Sequence, residues 1–391
     1  MNGTLDCIRN PNGIYIHWPF CLSKCPYCDF NSHVRVKYDE STWIEGVIQE
    51  LTYYANRIIQ NSEIQTIFFG GGTPSLLSPH AIHTILNAIH TLFKVDSRVE
   101  ITLEANPTTF ERAKFIDFKR SGINRLSIGV QSLTEDGLSV LGRTHDTNSA
   151  KVAVLEGIQI FKNVSFDLIY GRPHQHLSNW KIELIEALKM GAPHMSLYQL
   201  TIESGTRFEM LYAANQLPMP NSELQAEFYE LTNQLMNQAG FNQYEISNYA
   251  MSLHECRHNL LYWNYADYIG VGPGAHGRIY SNNQKWATST EKMPEKWLNT
   301  VLKTGNGIIE LNPLSTVIQC QEALMMGLRL QNGVLKSNLP SDWQTSINIF
   351  KLDQFKKSGI IIEDEMCITA SDYGRSCLNQ VLSELLCVLP N

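Results

Sequence analysis

Six short runs rich in β-branched and aromatic residues recur through the first half of the chain: Ile14–Trp18, Ile64–Phe69, Val99–Leu103, Arg125–Val130, Val164–Ile169 and Met195–Leu200. Longer amphipathic stretches at 39–60, 78–94, 110–121, 147–160 and 178–190 separate them. Short strands alternating with helices of that length predict βα units, and hence a parallel sheet covered by helices. The crossovers are then right-handed, so the sheet winds one way. An α/β fold follows, either an incompletely closed (β/α) barrel of six units or a doubly wound open sheet; the partial barrel is the expectation here. Several runs end in polar or glycine-rich turns: Gly70-Gly-Gly-Thr-Pro-Ser75, Glu104-Ala-Asn-Pro107, Gln131-Ser132 and Asp167-Leu-Ile-Tyr-Gly171. In α/β barrels the C-terminal strand ends build the site, so these turns are expected to face one ligand.

Beyond residue 200 the pattern changes. Residues 203–240 read as helical, and 241–280 are richer in aromatics and glycine. From about 286 the chain reads as mostly helical, with short β-like runs such as Gly359-Ile-Ile-Ile-Glu363. The expected division is a barrel over 1–200, a barrel-associated segment over 201–285, and a small, mostly helical, winged-helix-like C-terminal domain over 286–391. Gly270-Val-Gly-Pro-Gly-Ala-His-Gly277 superficially matches a dinucleotide loop, but Pro273 interrupts it and no helix with a ribose-binding acid follows. It is expected to cross near the barrel mouth.

A net charge of −7 over 391 residues argues against a nucleic-acid partner, which needs a basic surface to displace counterions. Cysteines stand at nine positions, 7, 21, 25, 28, 256, 320, 367, 377 and 387; an odd count in a long chain does not read as a disulfide framework. The first residues lack the basic and apolar regions of a signal peptide, and no run is long enough to span a bilayer. A cytoplasmic protein is the expectation, with peripheral contact at the membrane left open.

Three of the cysteines are close together, in Cys21-Leu-Ser-Lys-Cys25-Pro-Tyr-Cys28, directly behind the first strand-like run. Soft thiolates at C-x3-C-x2-C select zinc or an iron–sulfur cluster. A structural zinc site closes with four ligands, and no fourth cysteine lies nearby. A four-iron cubane held by three thiolates keeps one iron open for a small molecule, and this is the favoured reading. Lys24 lies inside the loop, where a cation would favour thiolate; a solvated loop tip is the plainer reading. Glu104 ends an apolar strand and would be costly to bury unpaired, so a cationic ligand or a surface ion pair must compensate for it.

The cysteine motif resembles that of the radical S-adenosylmethionine (SAM) superfamily. The longer string from Tyr15-Ile-His-Trp-Pro-Phe to Cys28-Asp-Phe30 is similar to the branch that holds anaerobic coproporphyrinogen III dehydrogenases and the HemW-type heme chaperones. The resemblance implies the partial barrel, a [4Fe-4S] cluster on Cys21, Cys25 and Cys28, and bound SAM. It counts Tyr27 among the cofactor-binding residues, places Tyr15 and Glu104 near a first SAM, and sets Gly71 and Gly72 against its amino group and carboxylate. Thr73, Gln131, Arg143 and Asp167 match positions near a second. Plainer readings are a tight turn for the glycines, a solvated Arg143 and a helix-capping Asp167.

Two departures from the dehydrogenases stand out: Phe30 occupies a position where they carry a further cysteine, and only about twelve residues precede the first strand. Glu255-Cys-Arg-His258-Asn-Leu-Leu-Tyr262-Trp263 carries H-N-x-x-Y-W, which resembles the motif whose histidine the heme chaperones use for heme. Imidazole is a common axial ligand, and Tyr and Trp offer flat faces to a porphyrin. Arg257 would pair with a propionate, and Cys256 is an alternative thiolate ligand. Without the resemblance, a His–aromatic cluster closing the barrel bottom is the simpler reading. The resemblance implies a heme chaperone with heme or porphyrin as cargo, respiratory haemoproteins at the cytoplasmic membrane as recipients, and bacterioferritin as a donor. The alternative is a dehydrogenase that decarboxylates coproporphyrinogen III.

Overall fold

In the computed structural model, residues 5, 7–9, 11–59 and 63–386 are described. Cys387 falls outside them. The six expected strands all form: β1 (Gly13–Trp18), β2 (Glu63–Gly71), β3 (Lys94–Ala105), β4 (Arg125–Gln131), β5 (Asn163–Tyr170) and β6 (His194–Gln199). They pair in sequence order, every ladder parallel. Helices Glu40–Ala55, Pro79–Leu92, Thr147–Ile160 and Leu177–Lys189 cover them. The first three start where side chains cap them: Asp39 accepts from Ser41 N, Ser78 from Ala81 N ahead of Pro79, and Asp146 from Ser149 N. The helix expected over 110–121 breaks into Thr109–Arg112 and Phe115–Arg120, and the break brings both Glu111 and Lys114 against the loop 73–77.

Residues alternate across these strands, as a pleated sheet requires. Ile14, Ile16, Ile67, Phe69, Leu103, Leu126, Ile128, Phe166 and Leu197 pack in the main hydrophobic core. Tyr15, Phe68, Thr102, Glu104, Ser127, Ser165, Asp167 and Ser196 take the opposite face, so the barrel interior is polar.

The sheet continues past the six strands at both edges. Beyond β6 lie β7 (Asn242–Glu245) and β8 (Asn248–Ala250), in the order β7-β8-β6. Beyond β1 lie β9 (Tyr268–Val271), parallel to it, then β10 (His276–Ser281), β11 (Gln284–Thr290) and β12 (Ile308–Pro313). Among the described residues no ladder joins β7 to β12, so the barrel stays open.

The division expected at residue 285 falls inside the β10–β11 hairpin. Asn282 and Asn283, at φ 51° and 62°, form its two-residue turn, and Asn readily adopts the left-handed backbone that such turns need. A second hydrophobic core instead gathers Cys320, Leu324, Trp343, Leu352, Ile368 and Leu385. Around it lie helices Thr316–Gly327, Ile349–Lys357 and Leu378–Leu385 and a three-stranded antiparallel sheet. No helix among the described residues is long and apolar enough to cross a membrane.

Candidate functional site

A cavity opens at the C-terminal ends of β2 to β5, beneath the cysteine loop. Cys21, Cys25, Cys28 and Tyr27 line it together with Gly71, Gly72, Thr73, Glu104, Gln131, Arg143 and Asp167. Eleven of the thirteen sequence-predicted site residues therefore share one cavity; Tyr15 and His258 do not line it.

The loop that carries the cysteines is pinned from several sides. Phe20–Cys21 pairs with His33–Val34. His17 Nε2 bonds the carbonyl of Asn31 at 2.9 Å, and Asn31 Nδ2 donates to the carbonyls of Pro273 (2.9 Å) and Lys292 (2.8 Å). The glycine-rich segment 270–277 thus lies beside this loop, as expected. Thr73 N donates to the carbonyl of Phe20 at 2.8 Å, which ties the end of β2 to the first cysteine. Lys24 is exposed at the loop tip.

Among the described residues no three Cys, His, Asp or Glu side chains converge on one point for a single metal ion. A cubane asks for a different arrangement, one thiolate for each of three irons. Burial pushes the Cys21 and Cys28 thiols up; iron would draw them to thiolates. Gly72 is the other half of the fit: a Cβ there would stand 2.7 Å from the carbonyl of Phe20 and 3.0 Å from Cys21 Sγ. Bare backbone is what a ligand beside the thiolates needs.

Two carboxyls stand in the floor. Glu104 Oε2 accepts from Gly71 N at 3.2 Å. Burial, and next the charge of Asp167, push its carboxyl up to about 8. Asp167 is raised to about 6, chiefly by burial, and its Oδ1 is buried with no hydrogen-bond partner among the described residues. An orphan acceptor beside a protonated carboxyl, both under an open cavity, suits a cationic or hydroxyl-bearing ligand such as SAM.

Arg143 does not stand free for a ligand carboxylate. Its Nη2 donates to Asn106 Oδ1 (2.5 Å) and to the carbonyl of Gly129 (2.9 Å), and Nη1 reaches Cys25 Sγ at 3.4 Å. Its Nε is buried and has no partner among the described residues. Gln131, at φ 69°, turns into the cavity from a bulge at the end of β4. Two residues that were not singled out connect the parts. Asn106 also donates to Thr73 Oγ1 at 3.1 Å, and Glu111 accepts from Asn106 N (2.7 Å) and from Ser75 Oγ. Asn106 lies in the Glu104-Ala-Asn-Pro107 turn, so the polar strand end already pointed to it.

Tyr15 lies one layer below, its hydroxyl 3.0 Å from His17 Nδ1 and its ring stacked near Phe68 and His258. His258 is at the other end of the barrel. It is 1% exposed, its Nδ1 bonds Thr66 Oγ1 and its Nε2 bonds the Tyr262 hydroxyl, both at 2.8 Å. Burial lowers its pKa to about 3, so it is neutral. This is the closed His–aromatic cluster at the barrel bottom, and neither nitrogen is open to an iron in this conformation. Cys256 is no better placed: its thiol is buried against Glu100 and pushed up to about 12, first by burial. Arg257 donates to the carbonyl of Arg98 at 2.6 Å.

The family model of the radical SAM superfamily matches residues 15–182. The chain is 35% identical to the heme chaperone HemW of Haemophilus influenzae, over 96% of this chain and 98% of that protein. Against HemW of Escherichia coli it is 42% identical, over 69% and 70%. A mitochondrial radical S-adenosyl methionine domain-containing protein 1 from Bos taurus is 34% identical, over 95% and 87%. Among solved structures, the coproporphyrinogen III oxidase HemN of Escherichia coli superposes with a TM-score of 0.82 at 19% identity, covering 97% of this chain and 91% of that one. That likeness establishes the partial barrel and added C-terminal domain as the fold. By its cysteine cavity and its near full-length similarity, this chain belongs to the HemW family of the radical SAM superfamily.

Proposed function

We propose that this chain is a heme chaperone, holding a [4Fe-4S] cluster on Cys21, Cys25 and Cys28, SAM in the cavity beside it, and heme as cargo for respiratory haemoproteins at the cytoplasmic membrane. Bacterioferritin is the proposed heme donor. One observation carries the choice between chaperone and dehydrogenase. The heme motif and the cysteines lie at opposite ends of the barrel. His258 touches Thr66, whereas the cavity begins at Gly71 on the same strand, a separation of roughly 16 Å at ~3.3 Å per residue. Hydrogen abstraction needs reacting atoms within about 3–3.5 Å, so a tetrapyrrole held at the motif is out of reach of chemistry at the cluster. Binding and release fit this spacing; decarboxylation of a ring held at the motif does not.

Cys21, Cys25 and Cys28 would hold the cluster, which when reduced would supply the electron for cleavage of SAM. The chain's own residues do the rest. Gly71 and Gly72 bring bare backbone to the ligand, and Glu104 and Asp167 offer acceptors from the floor. Asn106 and Arg143 hold the ends of β2, β3 and β4 in register beside Cys25.

The test is anaerobically reconstituted protein, assayed in parallel for hemin binding, heme transfer to an apo-cytochrome, and turnover of coproporphyrinogen III with SAM and reductant. Hemin binding with transfer, and an unchanged coproporphyrinogen mass, are the expected results. Loss of two carboxyl groups from the substrate with matching 5′-deoxyadenosine would overturn the proposal.

A further inference from the structure

A second cavity lies on the outside of the barrel bottom, where the helix Arg257–Trp263 meets the C-terminal domain. Tyr262, Trp263, Tyr265, Tyr268, Arg278 and Met326 line it, and its surface is mostly apolar. Four aromatic rings around one cavity offer flat faces and edges for another flat ring. Two of its polar side chains are donors only, Trp263 and Arg278. Trp263 Nε1 is buried with no hydrogen-bond partner among the described residues. Arg278 spends Nε and Nη2 on Glu322 (2.9 and 2.8 Å) and one bond from Nη1 on the carbonyl of Gly277, which among the described residues leaves two of its five N–H groups over. An apolar slot with spare donors at its edge fits a flat aromatic ligand carrying carboxylates.

This cavity adjoins His258 through a single side chain. Tyr262 lines it with its ring, which packs edge-on against Tyr268 at 4.6 Å between centroids. The same ring packs edge-on against His258 at 4.7 Å, and its hydroxyl caps Nε2. His258 and Tyr262 are four residues apart on one helix, so they share a face and the bond between them is local. On its other side His258 is backed by Phe68 at 5.0 Å and by Gly13, where a Cβ would stand 3.4 Å from its ring. Tyr262 is the neighbour that stands between the imidazole and this cavity.

We infer that this aromatic cavity between barrel and C-terminal domain is the entry seat for the tetrapyrrole, and that Tyr262 is a latch which keeps His258 Nε2 from the iron until the ring has docked. The inference rests on the heme reading above and assigns the C-terminal domain a part in it, through Met326. Docking places the ring against Tyr265 and Tyr268 with its carboxylates toward Trp263 and Arg278. Rotation of Tyr262 then uncovers a neutral imidazole, the form that coordinates iron.

The experiment is a hemin titration, followed by absorbance, of the full-length chain and three variants, with iron content and SAM binding measured on each as a check of the far site. Met326→Trp fills the seat and is expected to weaken hemin binding at least tenfold with iron and SAM unchanged. Tyr262→Phe keeps the ring but removes the bond to His258, and is expected to tighten binding by about fivefold, the worth of one hydrogen bond. His258→Ala removes the ligand that Tyr262 covers and is expected to weaken hemin binding at least tenfold. Absence of hemin binding by the unaltered chain overturns the heme reading, and this inference with it. Binding by the unaltered chain that Met326→Trp and Tyr262→Phe leave alone overturns the seat and latch only. Loss of binding in Tyr262→Phe, retained in His258→Ala, would make Tyr262 the iron's ligand and sink the latch.

Discussion

Glu104 ends a strand and has one N–H, that of Gly71, donating to it. Burial, and next the charge of Asp167, hold its carboxyl at about 8, and burial holds that of Asp167 at about 6. At pH 7 the floor therefore holds one proton and about one negative charge. A ligand that brings a cation favours ionised Glu104 over its neutral form. Below about 8 the cavity holds a proton that such a ligand must expel, so affinity climbs with pH up to that point and then levels. SAM binding near pH 7 is accordingly expected to release a fraction of a proton. Calorimetry in buffers of different ionisation enthalpy reads this directly. Glu104→Gln should weaken SAM binding about tenfold and flatten its pH dependence. Proton uptake on binding, or a pH profile that survives in the variant, would remove Glu104 from the ligand's contacts.

The end of β2 is where an element imposes its geometry on the site. Gly71 has φ +110°, and a Cβ there would stand 2.6 Å from the His17 ring. Gly72 is the harder to replace, because its nearest neighbour is backbone, the carbonyl of Phe20, rather than a movable side chain. Gly72→Ala must push the cysteine loop outward. It is expected to lose most of the bound iron after reconstitution while circular dichroism and melting stay near those of the unaltered chain. Full iron loading would show that the loop yields more easily than its pinning at Asn31 and Thr73 implies. Much of this was legible in the sequence. The six strands follow from apolar runs at regular spacing, and the cavity from polar turns at the strand ends. What spacing could not show was direction. H-N-x-x-Y-W names residue types suited to heme, yet the helix that carries it turns His258 inward onto Thr66 and leaves Tyr262 at the surface of the cluster. Tyr15 likewise alternates onto the interior face, a layer below the cavity. The Asn282-Asn283 turn was readable as a hairpin signal, and the boundary at 285 overlooked it.

At the scale of the whole molecule, two cores meet at a few charged contacts. Glu322, on the helix Thr316–Gly327, accepts from Arg278 on β10 and from the Tyr265 hydroxyl at 2.6 Å. Glu245 on β7 accepts from Arg329 at 3.0 Å, and the Arg329 guanidinium lies 4.5 Å above the Trp263 ring. The first contact borders the aromatic cavity and the second backs its tryptophan. Both partners in the Glu322–Arg278 pair are largely shielded, with side-chain exposures of 16% and 23%, so removing the acid leaves a cation and a phenol short of their acceptor, worth roughly 1–3 kcal/mol. The loss falls on the junction and not on either core. Glu322→Ala is therefore expected to raise hydrogen exchange across 316–327 and 257–268 while the strands of the main sheet exchange as before. A uniform rise over both cores would mean that they unfold as one unit. No change at the junction would mean that apolar contact alone holds it shut, and that the Glu322–Arg278 pair contributes nothing to how far the cavity opens.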